Sequence, residues 1–220
     1  MKLKTKIFAT LMCLATAAPL AQAGTVLINF SDAGLYNGAL NASSPGIWAT
    51  AKFEDSITPG TVKLTMNVTA ALAGTSAYVN DWYFNVNANP ALTFLNTSGP
   101  GASVTYGNDC CQVNGPSGNF DLKFHFNTSN PGNLAQGLSS IYELSGIGLT
   151  AASFAALSPF ENGGGGGKLA SVKVQGDGQS ADFEGKLGDT LIPSNDIPEP
   201  ASLALFGLGL LGVAAMRRRS

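Results

Sequence analysis

Few side chains in this 220-residue chain could do covalent or metal chemistry. There is one histidine, His125, and there are three cysteines, Cys13, Cys110 and Cys111. A thiol nucleophile needs a base within hydrogen-bond reach, and only His125 could supply an imidazole. His125 falls on the polar side of an alternating segment, so an exposed strand histidine is expected and a Cys–His dyad is not. Cys110 and Cys111 are neighbours, and consecutive Cα atoms stand ~3.8 Å apart, below the usual disulfide window. Two pairings stay open for them. One is a bond between the neighbours that stiffens the loop over residues 108–118; the other is a bond between chains.

Acids offer a second kind of chemistry. Asp177, Asp182 and Glu184 crowd the turn Gly176-Asp177-Gly178, and Asp32 follows the first apolar run. Oxygen ligands on loops can hold Ca²⁺, but the alternating Asp frame of a dedicated calcium loop is missing. Solvated turn acids are therefore expected and no cofactor, Ca²⁺ being the alternative left open. A carboxylate pair for glycoside hydrolysis is recognised by its separation in space and cannot be assigned from spacing in sequence. Trp48, Trp82 and Tyr83 could stack on sugar rings. Trp82 alternates with Phe84 and Val86 and belongs to the core set, whereas Tyr83 points to the other side.

Composition narrows the classes further. The chain carries 12 Lys+Arg against 14 Asp+Glu, a net charge of −2, and only 12% charged residues. No basic stripe is available for nucleic acid. Lys2, Lys4 and Lys6 sit at one end and Arg217, Arg218 and Arg219 at the other. Each group flanks an apolar run.

At the N-terminus, basic Met1–Lys6 precedes apolar Ile7–Ala18, which is too short to span a bilayer. Ala21-Gln22-Ala23 then has the small-x-small form of a signal-peptidase site. Residues 1–23 are accordingly expected to be a secretory signal, with Ala21 and Ala23 at the cleavage site and Gly24 as the first mature residue. Cys13 would leave with it. At the C-terminus, Pro198-Glu199-Pro200 is followed by an uncharged apolar stretch over 201–216 and the basic tail 217–219. As a helix, 201–216 would reach roughly 24 Å, and its arginines can snorkel toward the interface. They also place that end on the cytoplasmic side.

The order of tripeptide, apolar helix and terminal arginines resembles the PEP-CTERM sorting signal over residues 197–220. The resemblance implies export and processing of the tail by a membrane transpeptidase-like enzyme, an exosortase. It also makes Pro198, Glu199 and Pro200 the recognition element. The catalysis of that step would belong to the exosortase, not to this chain. What the resemblance implies for location is transient anchoring in the inner membrane, then the cell surface or extracellular matrix.

The elements between the two ends must position everything else. Residues 24–196 hold six lysines, no arginine and thirteen acids, a net charge of −7. Thr61–Leu72 alternates, with Val62, Leu64, Met66, Val68 and Ala70 on one face. Phe120–Phe126 does the same: Phe120, Leu122, Phe124 and Phe126 inward, Asp121, Lys123 and His125 outward. Such period-two patterns mark half-buried strands. Weaker runs lie at Thr25–Phe30, Ile47–Phe53, Asp81–Asn87, Ala91–Leu95, Ser103–Tyr106, Ile147–Leu149, Leu169–Val174 and Ala181–Gly185. Gly- and Pro-rich turns separate them, and one helical turn fits at Ala151–Ala156. Regular punctuation of this kind predicts a single all-β domain, an antiparallel β-sandwich or jelly roll. The expected function is structural or adhesive, within biofilm or exopolysaccharide, and non-enzymatic. A carbohydrate-binding module, Ca²⁺-assisted or not, is the alternative, and an envelope hydrolase comes third.

Overall fold

A computed structural model describes residues 24–38, 46–69, 76–87, 91–113, 118–159, 167–176 and 178–188. All of them lie in one compact unit, Ala23–Pro193. The expected signal segment 1–23, the apolar stretch 201–216 and the motif Pro198-Glu199-Pro200 fall outside the described residues. Among the described residues, no helix is long and apolar enough to cross a membrane.

The fold is all-β and antiparallel. Its strands are β1 (Thr25–Gly38), β2 (Ile47–Asp55), β3 (Thr61–Val68), β4 (Tyr78–Phe84), β5 (Thr93–Ser98), β6 (Ala102–Gln112), β7 (Asn119–Phe126), β8 (Leu134–Ala135), β9 (Ser139–Ser145), β10 (Ala170–Gly176) and β11 (Gln179–Leu187). The predicted helical turn is a short 3₁₀ turn, Ala151–Phe154. Hydrogen bonding joins the strands in the order β5-β9-β3-β2-β1-β11-β10-β4-β7-β6, with β8 on β4. This is one continuous sheet, where the sequence suggested the two sheets of a sandwich.

The sheet nearly closes on itself. Its outermost strands, β5 and β6, are consecutive in the chain and linked through Gly99-Pro100-Gly101. Gly99 has φ +76°, and a Cβ there would stand 2.0 Å from the Ser139 carbonyl oxygen, so only glycine fits this turn. Among the described residues no ladder joins β5 to β6; side chains bridge the seam. Tyr142 on β9 takes the Ala102 N–H on its hydroxyl and donates to the Ala102 carbonyl at 3.3 Å. Phe94 on β5 meets Tyr106 on β6, their ring centres 5.9 Å apart.

Inward residues of the strands form one core, with the 3₁₀ turn adding Ala151 and Phe154. Phe30 lies edge-on to Trp82, Trp48 to Phe183, and Phe53 to Phe84, while Phe53 stacks on Phe154 at 4.1 Å. Both tryptophans are fully buried. Aromatic residues of this size fill the enclosed space with large apolar area, the main stabilising term available to the fold.

One strand expectation fails and one strand went unread, each for a local reason. Ile147–Leu149 is a turn, because Gly148 takes φ +72° and Ile147 is left in solvent. The strand lies just before it at Ser139–Ser145, whose pattern is masked because Ser140 occupies an inward position. Ser140 is buried there because its hydroxyl donates to the Pro100 carbonyl at 2.6 Å.

Candidate functional site

The outer face of the sheet carries the polar chemistry. Register places Asn37, Asp182, Lys173, Asp81, His125 and Ser103 side by side across β1, β11, β10, β4, β7 and β6. Neighbours in such a row lie within reach of one another. The next row runs Glu184, Ser171, Tyr83, Lys123 and Thr105.

Asp81 is the hub. It is only 4% exposed, and one of its oxygens, Oδ1, takes His125 Nδ1 at 2.7 Å and Lys123 Nζ at 3.2 Å. Asp182, also buried, accepts from Asn37 Nδ2 at 2.8 Å. Burial pushes the Asp182 carboxyl above its usual range, partly offset by the Asn37 hydrogen bond and by Lys173. Tyr83 is driven far above the usual phenol range by burial first, then by the charges of Asp81 and Asp182. It is a neutral phenol at any physiological pH. The row sets Ser103, His125 and Asp81 in a line, the residue types of a serine hydrolase triad. Among the described residues, however, no hydrogen bond joins Ser103 to His125, and Lys123 shares the Asp81 oxygen.

Beside this row lies a second, smaller apolar cluster of Tyr83, Cys111, Val113 and Phe120, with Tyr36 packed on it. Phe120 was expected in the main core with Leu122, Phe124 and Phe126; it is fully buried but belongs to this outer cluster. Tyr83, placed by alternation on the side away from the core and weighed as a ring that could stack on sugars, is 4% exposed, with its ring 5.8 Å from Phe120. The far end of β6 covers it. There the β6–β7 register shifts between Tyr106 and Cys111, and Asp109 takes φ +49°. Asp121 fastens that irregular stretch: its carboxylate accepts Asp109 N–H and Val86 N–H, each at 2.9 Å. Cys110 and Cys111 are bonded to each other here, Cα atoms 3.7 Å apart, with Cys111 buried in the cluster and Cys110 exposed.

Among the described residues, the acids weighed for Ca²⁺ do not assemble. Asp182 is buried in the row instead of solvated in a turn, and Glu184 pairs with Lys168 at 3.1 Å. Asp32 is half-buried on β1, and Asp177 lies outside the described residues. Among the described residues, no group of three His, Cys, Asp or Glu side chains could hold a metal ion.

One more surface was not legible in the sequence. Three adjoining open hollows of about 420, 560 and 410 Å³ run along one rim of the sheet. The first and second share Ser76 and Tyr78, the second and third share Thr128, and amides such as Gln175, Asn133 and Asn127 line the rest. Turn-rich Asn, Gln and Ser residues read as loops, so nothing in the sequence flagged them as one surface.

Outside the described fold, residues 196–219 match the PEP-CTERM protein-sorting motif. The motif marks an exported protein sorted by an exosortase, with a C-terminal membrane anchor before processing. No curated protein and no solved structure matches the chain. The motif thus identifies a route of export, and the sheet must speak for the rest.

Proposed function

We propose that the chain is a non-catalytic structural or adhesive protein of the cell surface or extracellular matrix, released there after exosortase processing. The observation that carries this reading is the sorting motif over residues 196–219 on a chain whose fold is a filled β-sheet domain. The Asp81 oxygen that would orient His125 is shared with Lys123, which favours a structural role for that histidine. The test is fractionation of the exporting cells with and without the tail 197–220. The intact chain is expected in the matrix fraction, and a strain lacking the gene should yield a less cohesive matrix. Turnover of any polymer or ester by the purified protein, lost in His125→Ala, would sink this reading.

A second reading has one specific support: the rim of amides and hydroxyls, with half-buried Tyr78 among them, offers many hydrogen bonds. It suits hydrated exopolysaccharide held by polar contacts. Affinity electrophoresis in the matrix polysaccharide checks it, with Gln175→Ala and Asn133→Ala expected to abolish retardation while Tyr83→Phe leaves it intact.

A further inference from the structure

Gly24, the residue expected to begin the mature chain, is seated on Asp55. Its backbone nitrogen lies 2.8 Å from Asp55 Oδ2. Asp55 holds the same residue a second time, donating its own N–H to the Gly24 carbonyl at 3.0 Å. The other carboxylate oxygen, Oδ1, accepts the Ala151 N–H at 2.6 Å, at the start of the 3₁₀ turn. The neighbouring Glu54 binds both Lys52 and Lys63, yet no lysine among the described residues pairs with Asp55. A Cβ at position 24 would stand 2.8 Å from Asp55 Oδ2 and 4.0 Å from Ala151 Cβ. The seat fits a glycine, and the carboxylate in it lacks only a cation.

We propose that Asp55 is the receptor for the α-ammonium group created at Gly24 when the signal peptide is cut. The inference rests on the reading that the cut falls between Ala23 and Gly24. Hydrolysis of that peptide bond consumes one water: the hydroxyl goes to the Ala23 carbonyl carbon and a hydrogen to the Gly24 nitrogen. The new amine then takes up a proton, since α-amino groups titrate near ~7.7–8.0. Before the cut, the nitrogen is a neutral amide giving one hydrogen bond to Asp55. After it, the same atom carries a positive charge, so Coulomb attraction between the two groups adds to a hydrogen bond that the carboxylate had already strengthened. Because Thr25 pairs with Glu54, the ion pair clamps the start of β1 to the end of β2 and, through Ala151, to the 3₁₀ turn. Export processing would thereby tighten the fold at the moment it frees the domain.

The test uses full-length precursors processed in an exporting host, with one extra alanine inserted after Ala23 in a second precursor. N-terminal sequencing comes first, and must give Gly24 for the native chain and the inserted alanine for the other. The chain starting at Gly24 should melt about 2–4 °C higher, the shift expected for roughly 1 kcal/mol at this size. Asp55→Asn, which keeps an oxygen for Ala151, should erase the difference between the two chains. Gly24→Ala should be cut at the same bond and lose the same few degrees, which keeps the test open if Asp55→Asn folds poorly. Equal melting of the two chains, or a difference that survives Asp55→Asn, overturns the docking while leaving the cut in place. A native N-terminus other than Gly24 overturns the cleavage reading and the docking with it.

Discussion

The two faces of β4 place opposite chemistry on adjacent residues. Trp82 and Phe84 point into the main core, where each meets other rings. Asp81 and Tyr83 point outward and are nearly as buried, at 4% exposure each. Inside, burial is achieved by filling space with apolar rings. Outside, it is achieved by covering: cross-strand partners surround Asp81, and the far end of β6 lies over Tyr83. The first kind depends on shape and area, the second on charge and hydrogen bonding, so the two faces should fail differently when perturbed.

The largest effect is expected on the inner face. Phe84→Ala removes a fully buried ring that contacts Phe53 and Phe124, and should cost about 3–5 kcal/mol in denaturant unfolding. A loss under 1 kcal/mol would mean the core is not packed as described. On the outer face, Asp81→Ala removes the shared partner of Lys123 and His125, but both side chains are exposed enough to regain water. The expected cost is therefore smaller, about 1–2 kcal/mol. Equal losses for the two variants would erase the distinction between filling and covering.

The disulfide should contribute less still. A bond between adjacent residues closes almost no chain loop, so the unfolded state gains little freedom when it is removed. Cys110→Ser with Cys111→Ser should shift unfolding by less than about 1 kcal/mol. Non-reducing electrophoresis of the native chain should show a monomer, and a reductant-sensitive ladder would reassign the cysteines to contacts between chains.

The smallest expected effect concerns Asp182 and has a definite sign. Its carboxyl titrates higher folded than unfolded, so the folded state binds the proton more tightly between those two values. Stability should then fall as pH rises from the ordinary carboxylate value through the raised one, and level off above it. Asp182→Asn should flatten that slope and be neutral or slightly stabilising at pH 7. Thermal melts across the acid range check this, and a steeper slope in the variant would contradict it.

Strands with one apolar face were legible because period two needs only hydrophobicity to be read. β3 and β7 appeared almost residue for residue, and Trp82 was placed in the core. β9 was hidden, since Ser140 is inward for a hydrogen bond that only the neighbouring turn at Pro100 supplies. The full extents of β1 and β6 were hidden as well, because bulges break their alternation. Outer-face burial was the least visible. Asp182 and Tyr83 are polar residues at outward positions, and alternation assigns such residues to water. Their covering comes from strands distant in sequence, and no local pattern reports it.

What the sequence determined by itself is therefore the route and the class: a sorting motif at one end and an all-β domain. These are written in contiguous segments, which local pattern and composition suffice to read. Tertiary structure alone decided that one sheet nearly closes where two had been expected, that Asp81 gathers a histidine and a lysine, and that Gly24 rests against Asp55. Each of those joins residues from separate strands. Such contacts depend on register and closure, which the whole chain settles together.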